Sequence, residues 1–386
     1  MPSGAGAAPG PGHGASRSVY LDYNATAPVR PEAAGAMADA LALVGNPSSV
    51  HRFGRAARKR VEDAREEIAA LIGAAPADLV FTSGGTEANA LALRGTGRKR
   101  LLVSAIEHDS VLANAAAIDP ATPRIPATRD GVVDLEALDR LLAERAGETL
   151  VSIMLANNET GVVQPVAEAA RRAHAAGAIV HCDAVQAAGK IPVDVRALGV
   201  DLLSLSAHKL GGPQGIGALY VSDRVVLAAT LLGGGQERGR RAGTENVPCI
   251  AGFGAAAAAA RRDLSAYAKI AELRDRLEAA VLARSNRARI AGADAPRLAN
   301  TSCIVLAGMA SETQVMALDL AGIAVSAGSA CSSGKVRPSH VLAAMGLAAD
   351  EAASAIRVSL GWNTTSGEIE RFVEAWSTLA ARRAAA

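Results

Sequence analysis

From about Leu79 to Val221, short β-type runs alternate with longer stretches of helical period, and this limits the fold more than any other feature of the chain. The runs are residues 79–81, 101–103, 150–155, 179–182, 202–205 and 216–221. Helix-period segments such as 135–146 and 166–176 lie between several of them, the second closed by Gly177. Strands joined through helices lie parallel, and the helices cover both faces of their sheet. The chain therefore reads as α/β with a mainly parallel sheet. Ligands on such sheets gather beyond the carboxyl ends of the strands, so the residues just after each run are the ones to examine.

Past Arg261 the pattern changes. A helical stretch over 264–284 leads to strands at 302–306, 323–326 and 356–360 and a final helix at 367–382, which reads as a second, smaller α/β domain. Residues 1–18 are mostly Gly, Ala, Pro and Ser and cannot bury enough surface to offset ordering, so they read as a disordered tail without a signal-peptide core. No strongly apolar stretch reaches the ~20 residues of a membrane span. A formal net charge of +2 gives no electrostatic case for nucleic acid or an anionic membrane. The densest basic cluster, 52–65, is interleaved with Glu62 and Asp63 and reads as a solvated amphipathic helix. Four cysteines without a Cys-x-x-Cys pair make no disulfide framework, no metal site is expected, and a reducing cytoplasm is the natural compartment.

Several polar segments sit where the sheet argument points. Ser83-Gly84-Gly85-Thr86-Glu87 follows a strand and opens a helix, so its backbone N–H groups suit a phosphate; taken alone it is also an ordinary helix start with Thr86 as cap. His181-Cys182-Asp183 ends a strand with His181 and Asp183 on one side and Cys182 on the other; Asp183 suits a protonated ring nitrogen, or caps a helix. Of six lysines, Lys59, Lys99, Lys190, Lys269 and Lys335 sit among polar or loop residues. Lys209 alone follows an apolar strand and precedes Gly211-Gly212-Pro213, where partial desolvation would lower its pKa and free the amine for a Schiff base. In a right-handed parallel unit the ends of the Asp183 and Lys209 strands lie at one edge. His108 and Asn158, each just beyond a strand, offer an imidazole to stack on a ring and an amide to its hydroxyl or to substrate, though either segment is also a plain polar loop. Cys182, Cys249 and Cys303 read as core residues, whereas Cys331, in Ser326-Ala327-Gly328-Ser329-Ala330-Cys331-Ser332-Ser333-Gly334-Lys335, has no apolar setting to explain it.

These motifs, with Tyr20-Leu21-Asp22-Tyr23-Asn24-Ala25-Thr26-Ala27-Pro28, Gly45-Asn46-Pro47-Ser48-Ser49-Val50-His51 and Arg241-Ala242-Gly243-Thr244-Glu245-Asn246, make the chain resemble the cysteine desulfurases of the pyridoxal-phosphate (PLP) fold type I group, aminotransferase class V. The resemblance runs from about Val19 to Val373. It implies a large PLP-binding domain (30–261) with a seven-stranded, mainly parallel sheet flanked by helices. It also implies a small α/β domain (262–386) carrying the Cys331 loop, with residues 19–29 packed on that small domain. The resemblance further implies that Lys209 bonds the cofactor, Asp183 pairs with its ring nitrogen, Gln186 binds its hydroxyl and His108 stacks on its ring and handles protons. Gly85, Thr86, Ser206 and His208 would hold the phosphate with Thr244 from the second subunit of a homodimer. Asn158 would contact cofactor and substrate, Arg357 would clamp the substrate carboxylate, and Cys331 would take the sulfur.

The implied activity is conversion of L-cysteine to L-alanine, with a persulfide on Cys331 passed to an acceptor or scaffold protein for iron–sulfur cluster assembly or thiolation. Selenocysteine lyase and other class V aminotransferases or lyases are the alternatives. Cys182 departs from the family's usual aliphatic residue and should pack as Val would.

Overall fold

The computed structural model describes residues 18–328 and 338–384. Residues 1–17, to which the tail reading applies, and 329–337, with Cys331, lie outside the described residues. The described strands are β1 (Val19–Tyr20), β2 (Leu79–Thr82), β3 (Arg100–Ser104), β4 (Arg124–Ile125), β5 (Thr149–Ser152), β6 (Ile179–Asp183), β7 (Leu202–Ser206) and β8 (Gly217–Val221). They continue with β9 (Ala288–Ile290), β10 (Thr301–Leu306), β11 (Ile323–Ala324), β12 (Ser326–Ala327) and β13 (Ala355–Ser359).

The largest sheet runs in the order β2-β8-β7-β6-β5-β3-β4. β7, β6, β5, β3 and β4 are parallel, while β8 is antiparallel to both β7 and β2. The reversal at β8 has a local cause. The link between β7 and β8, residues 207–216, holds only the short helical turn Ala207–Lys209, and a parallel crossover needs a dozen or more residues. Alternation along the strands sends Val80, Leu202 and Leu219 against Ala88, Leu91 and Ala92 of helix Gly85–Gly95. The opposite face sends Val180, Cys182, Leu203 and Leu205 against Phe253, Ala256 and Ala257 of helix Val247–Arg262. Burial on both faces is why these strands read as continuous apolar runs.

A second sheet, β12-β13-β10-β9, packs Ile304, Ile356 and Val358 against Leu277 and Val281 of helix Tyr267–Arg284 and Phe372 and Trp376 of helix Ser366–Ala384. The expected strand over 323–326 divides at Val325. β11 pairs in parallel with β1, and β12 pairs antiparallel with β13, so the run serves two sheets. Through β1 the amino-terminal segment is tied to this side, with Val19 and Leu21 in the same core. β4 and β9, of two and three residues, are too short to show a period and were not expected. Among the described residues no helix is long and apolar enough to cross a membrane.

Candidate active site

β6 and β7 lie side by side with Asp183 opposite Ser204, so the carboxyl ends of both open at one edge. β6 ends on Asp183, and a single turn after β7 places Lys209. Both face a cavity of about 320 Å³, within the usual range of small-molecule sites. The cavity also takes Gly85 and Thr86 from the start of helix Gly85–Gly95, His108 from beyond β3 and Asn158 from beyond β5. Gln186, Ser206, His208 and Arg357 complete the expected residues on its wall.

Lys209 is held by main-chain oxygens: its Nζ donates to Asn24 O at 2.6 Å and to Ala25 O at 2.8 Å. Burial lowers its pKa to about 8, helped by the nearby Arg357 guanidinium and opposed by Asp22 and Asp183. The turn after it needs Gly211, whose φ is +85° and where a side chain would strike Trp362 and Arg30. Asp183 accepts from Asn89 Nδ2 at 2.7 Å and from Val185 N at 2.9 Å, which fixes its carboxylate at the cavity edge. Near it lies Glu107, buried, with one oxygen accepting from Met154 N; burial and the Asp183 charge hold this carboxyl well above the usual range.

Arg357, from β13, is buried. It donates to Asp22 Oδ1 at 2.8 Å and Asn158 O at 3.2 Å, and its Nε has no hydrogen-bond partner among the described residues. At the opposite end, helix Gly85–Gly95 begins at Gly84 with no side-chain cap, which corrects the reading of Thr86 as a cap. Its first N–H groups are therefore left for a ligand beside Ser206. A side chain at Gly85 would meet Val185 at 2.9 Å, so this close approach requires glycine. His208 Nδ1 lies 3.2 Å from Thr26 Oγ1, and burial together with Lys209 and Lys190 lowers its pKa to about 4.

Sequence reasoning missed the residue around which the site is organised. Asn24 is buried where the amino-terminal segment meets both sheets; its main-chain oxygen takes Lys209 Nζ and Gln186 Nε2, and its Oδ1 takes Lys190 Nζ at 2.9 Å. Asn24 Nδ2 donates to Asn158 O and Thr301 Oγ1. It stood in the quoted Tyr20–Pro28 motif, and that was its only signal. Lys190 lies in a turn, as expected, but is buried there and also donates to Gln186 Oε1 at 2.8 Å. Burial and the charge of Lys209 hold its pKa well below the usual lysine range.

Cys182 and Cys303 are fully buried, and burial raises both thiols, Cys303 to about 12, which makes them poor nucleophiles. Cys182 packs in the aliphatic core, as expected of a Val substitute. Cys331 lies outside the described residues, but those flanking its segment converge on buried Glu159. Ser339 Oγ donates to Glu159 Oε2 at 2.5 Å, and a side chain at Gly328 would come within 2.9 Å of the same oxygen. Thr244 is exposed and does not reach this cavity from its own chain.

The donor set fits PLP: an amine of lowered basicity for its aldehyde, a carboxylate for its ring nitrogen, and an uncapped helix start beside Ser206 and His208 for its phosphate. On a mainly parallel sheet with helices on both faces, this arrangement defines the fold type I class of PLP-dependent enzymes. The family model for aminotransferase class-V matches residues 19–372. A cysteine desulfurase of Cereibacter sphaeroides is 46% identical over 367 residues, covering 92% of this chain and 94% of its own. Among solved structures, a NifS-like protein from Rickettsia africae superposes with a TM-score of 0.88 at 37% identity, covering 94% of this chain and 99% of its own. SspA in complex with cysteine superposes with a TM-score of 0.77 at 31% identity, covering 89% and 99%. The chain belongs to the aminotransferase class-V family, among its cysteine desulfurases.

Proposed function

We propose that this chain is a PLP-dependent cysteine desulfurase that converts L-cysteine to L-alanine and takes the sulfur onto Cys331. The observation that carries the reading is one cavity in which Lys209, Asp183 and Arg357 converge, with the flanks of the Cys331 segment anchored beside it at Glu159. Asp183 would hold the ring nitrogen, Lys209 the aldehyde carbon, Gln186 the ring hydroxyl and His108 the ring face. Gly85, Thr86, Ser206 and His208 would hold the phosphate, joined by Thr244 of a second copy in a homodimer. That cofactor, when bound, supplies an electron sink for the charge left when the α-proton departs.

The chain's own groups do the rest. Arg357 turns its fork to the substrate carboxylate, with Asn158 beside it. Lys209, freed once the substrate amine takes its place at the aldehyde carbon, would take the α-proton and later return it. The Cys331 thiolate attacks the substrate sulfur: the S–S bond forms, the Cβ–S bond breaks, its electron pair stays with carbon, and a proton completes the alanine methyl. Substrate plus thiol thus becomes alanine plus persulfide, with atoms and electrons balanced.

Residues 30–261 would form the large domain, and 262–386, joined by 19–29, the small one. An acceptor or scaffold protein would collect the sulfur for iron–sulfur cluster assembly or thiolation. The unpaired thiols of Cys182, Cys249 and Cys303 suit a cytoplasmic setting. The test is product analysis with L-cysteine on wild type and Cys331→Ala. Alanine from wild type and almost none from the variant, with PLP retained in both, is expected. Pyruvate or a keto acid in place of alanine would assign a lyase or aminotransferase.

A further inference from the structure

Three hydrogen bonds through two residues connect Asp183 to His108, by groups that the proposed chemistry does not use. Asn89 is buried on helix Gly85–Gly95, and its Nδ2 donates to Asp183 Oδ2 at 2.7 Å and to Ser110 Oγ at 2.8 Å. Ser110 is also buried; its Oγ lies 2.8 Å from His108 Nδ1, and its backbone N–H donates to the same nitrogen at 3.1 Å. His108 is the N-cap of helix Asp109–Ile118, so this second contact is part of the helix start.

Counting donors fixes the direction of every link. A carboxylate only accepts, so Asn89 turns its NH₂ group, not its oxygen, toward Asp183. The other amide hydrogen goes to Ser110 Oγ. Ser110 has one hydroxyl hydrogen left, and its neighbour within reach is Nδ1 of His108. The backbone N–H of Ser110 cannot be reversed, and an N–H on Nδ1 would face it head-on. The hydroxyl and the backbone N–H together favour a lone pair on Nδ1 over an N–H.

We propose that Asn89 and Ser110 are positioning residues that hold His108 as the tautomer protonated on Nε2. His108 then offers the cavity an N–H donor, not a lone pair. In its neutral form it serves an anionic group of the bound substrate as a hydrogen-bond donor and is not a general base at Nε2. The ring's orientation is also tied, through one amide and one hydroxyl, to the carboxylate assigned to the cofactor nitrogen. This rests on the proposed function only in placing His108 beside substrate.

The test is ¹⁵N spectroscopy of the full chain, histidine-labelled and loaded with PLP, with the His108 signals among the seven histidines identified by their loss in His108→Gln. A pyridine-like Nδ1 and a pyrrole-like Nε2 are expected. Ser110→Ala removes one of two donors to Nδ1, so both signals should move toward averaged values. Its kcat should fall about two- to tenfold, the worth of one hydrogen bond, with KM nearly unchanged. A wild-type Nδ1 carrying the proton, or a Ser110→Ala spectrum identical to wild type, overturns the proposal. Should Ser110→Ala fail to fold, His108→Gln sets its amide near Nε2 and His108→Asn sets it near Nδ1. The first should keep more activity, and the reverse order counts against the proposal. The spectrum needs no turnover, so a chain that makes no alanine would sink the functional reading while leaving the tautomer result intact.

Discussion

The turn after β7 and the turn after β6 each hold a lysine against Asn24, and the two amines are served differently. Lys209 rests on main-chain oxygens of Asn24 and Ala25 and faces the cavity. Lys190 rests on side-chain oxygens, Asn24 Oδ1 and Gln186 Oε1, and is absent from the cavity wall. Burial lowers the pKa of both. Desolvation alone therefore does not separate the two amines; access to the cavity and freedom from side-chain acceptors single out Lys209, the one proposed to bond the cofactor. Lys190 instead fixes the orientation of two amides, and through Asn24 it steadies the carbonyl that receives Lys209.

The sharpest way to break this contrast is Lys209→Ala, which should abolish the absorbance of covalently held PLP and all turnover. A variant that kept both would transfer the role to Lys190. Asp183→Ala should leave the cofactor bound, because the phosphate groups are untouched, and lower turnover on the order of a hundredfold, as loss of a preorganised electrostatic partner does. An unchanged turnover number there would give the ring nitrogen another partner.

The two lysines also separate by pH. With a pKa of about 8, Lys209 is neutral and nucleophilic above that value and protonated below it. Uptake of PLP by the cofactor-free chain should therefore level off above about pH 8 and slow roughly tenfold per unit below. A rate still rising toward pH 10 would mean an ordinary lysine. The smallest effect belongs to Lys190→Met, which keeps the volume but takes the Lys190 donor from buried Gln186 Oε1 and leaves Asn24 Oδ1 with Asn300 Nδ2. Stability should fall by about 1–3 kcal/mol in denaturant unfolding while PLP attachment persists. Loss of attachment with stability intact would erase the distinction.

Much of this site was legible because strand periods place their ends. Asp183, Lys209, His108 and Asn158 each follow an apolar run, and in an α/β sheet such positions share an edge. The resemblance to cysteine desulfurases added Arg357, Gln186 and the phosphate-binding roles. What local sequence could not show is contact between distant segments. Asn24 meets Lys190 and Thr301 across 166 and 277 residues, and no period encodes that. Lys190 sits in a short polar turn, and its burial comes from the amino-terminal segment folding over it. The antiparallel β8 was hidden for the opposite reason: its run was visible, but its direction depends on the length of the link from β7. Thr244 is exposed on its own chain, and only the proposed homodimer would bring it to a cavity of this kind.

The central claim joins Lys209 chemistry to a single thiol, and the direct measurement is persulfide labelling of the PLP-loaded chain after one turnover with L-cysteine, followed by peptide mapping. Label is expected on the peptide containing Cys331, in step with alanine formed and absent from Cys182, Cys249 and Cys303. Label on one of those three, or alanine formed by a Cys331→Ala chain at the wild-type rate, would contradict it.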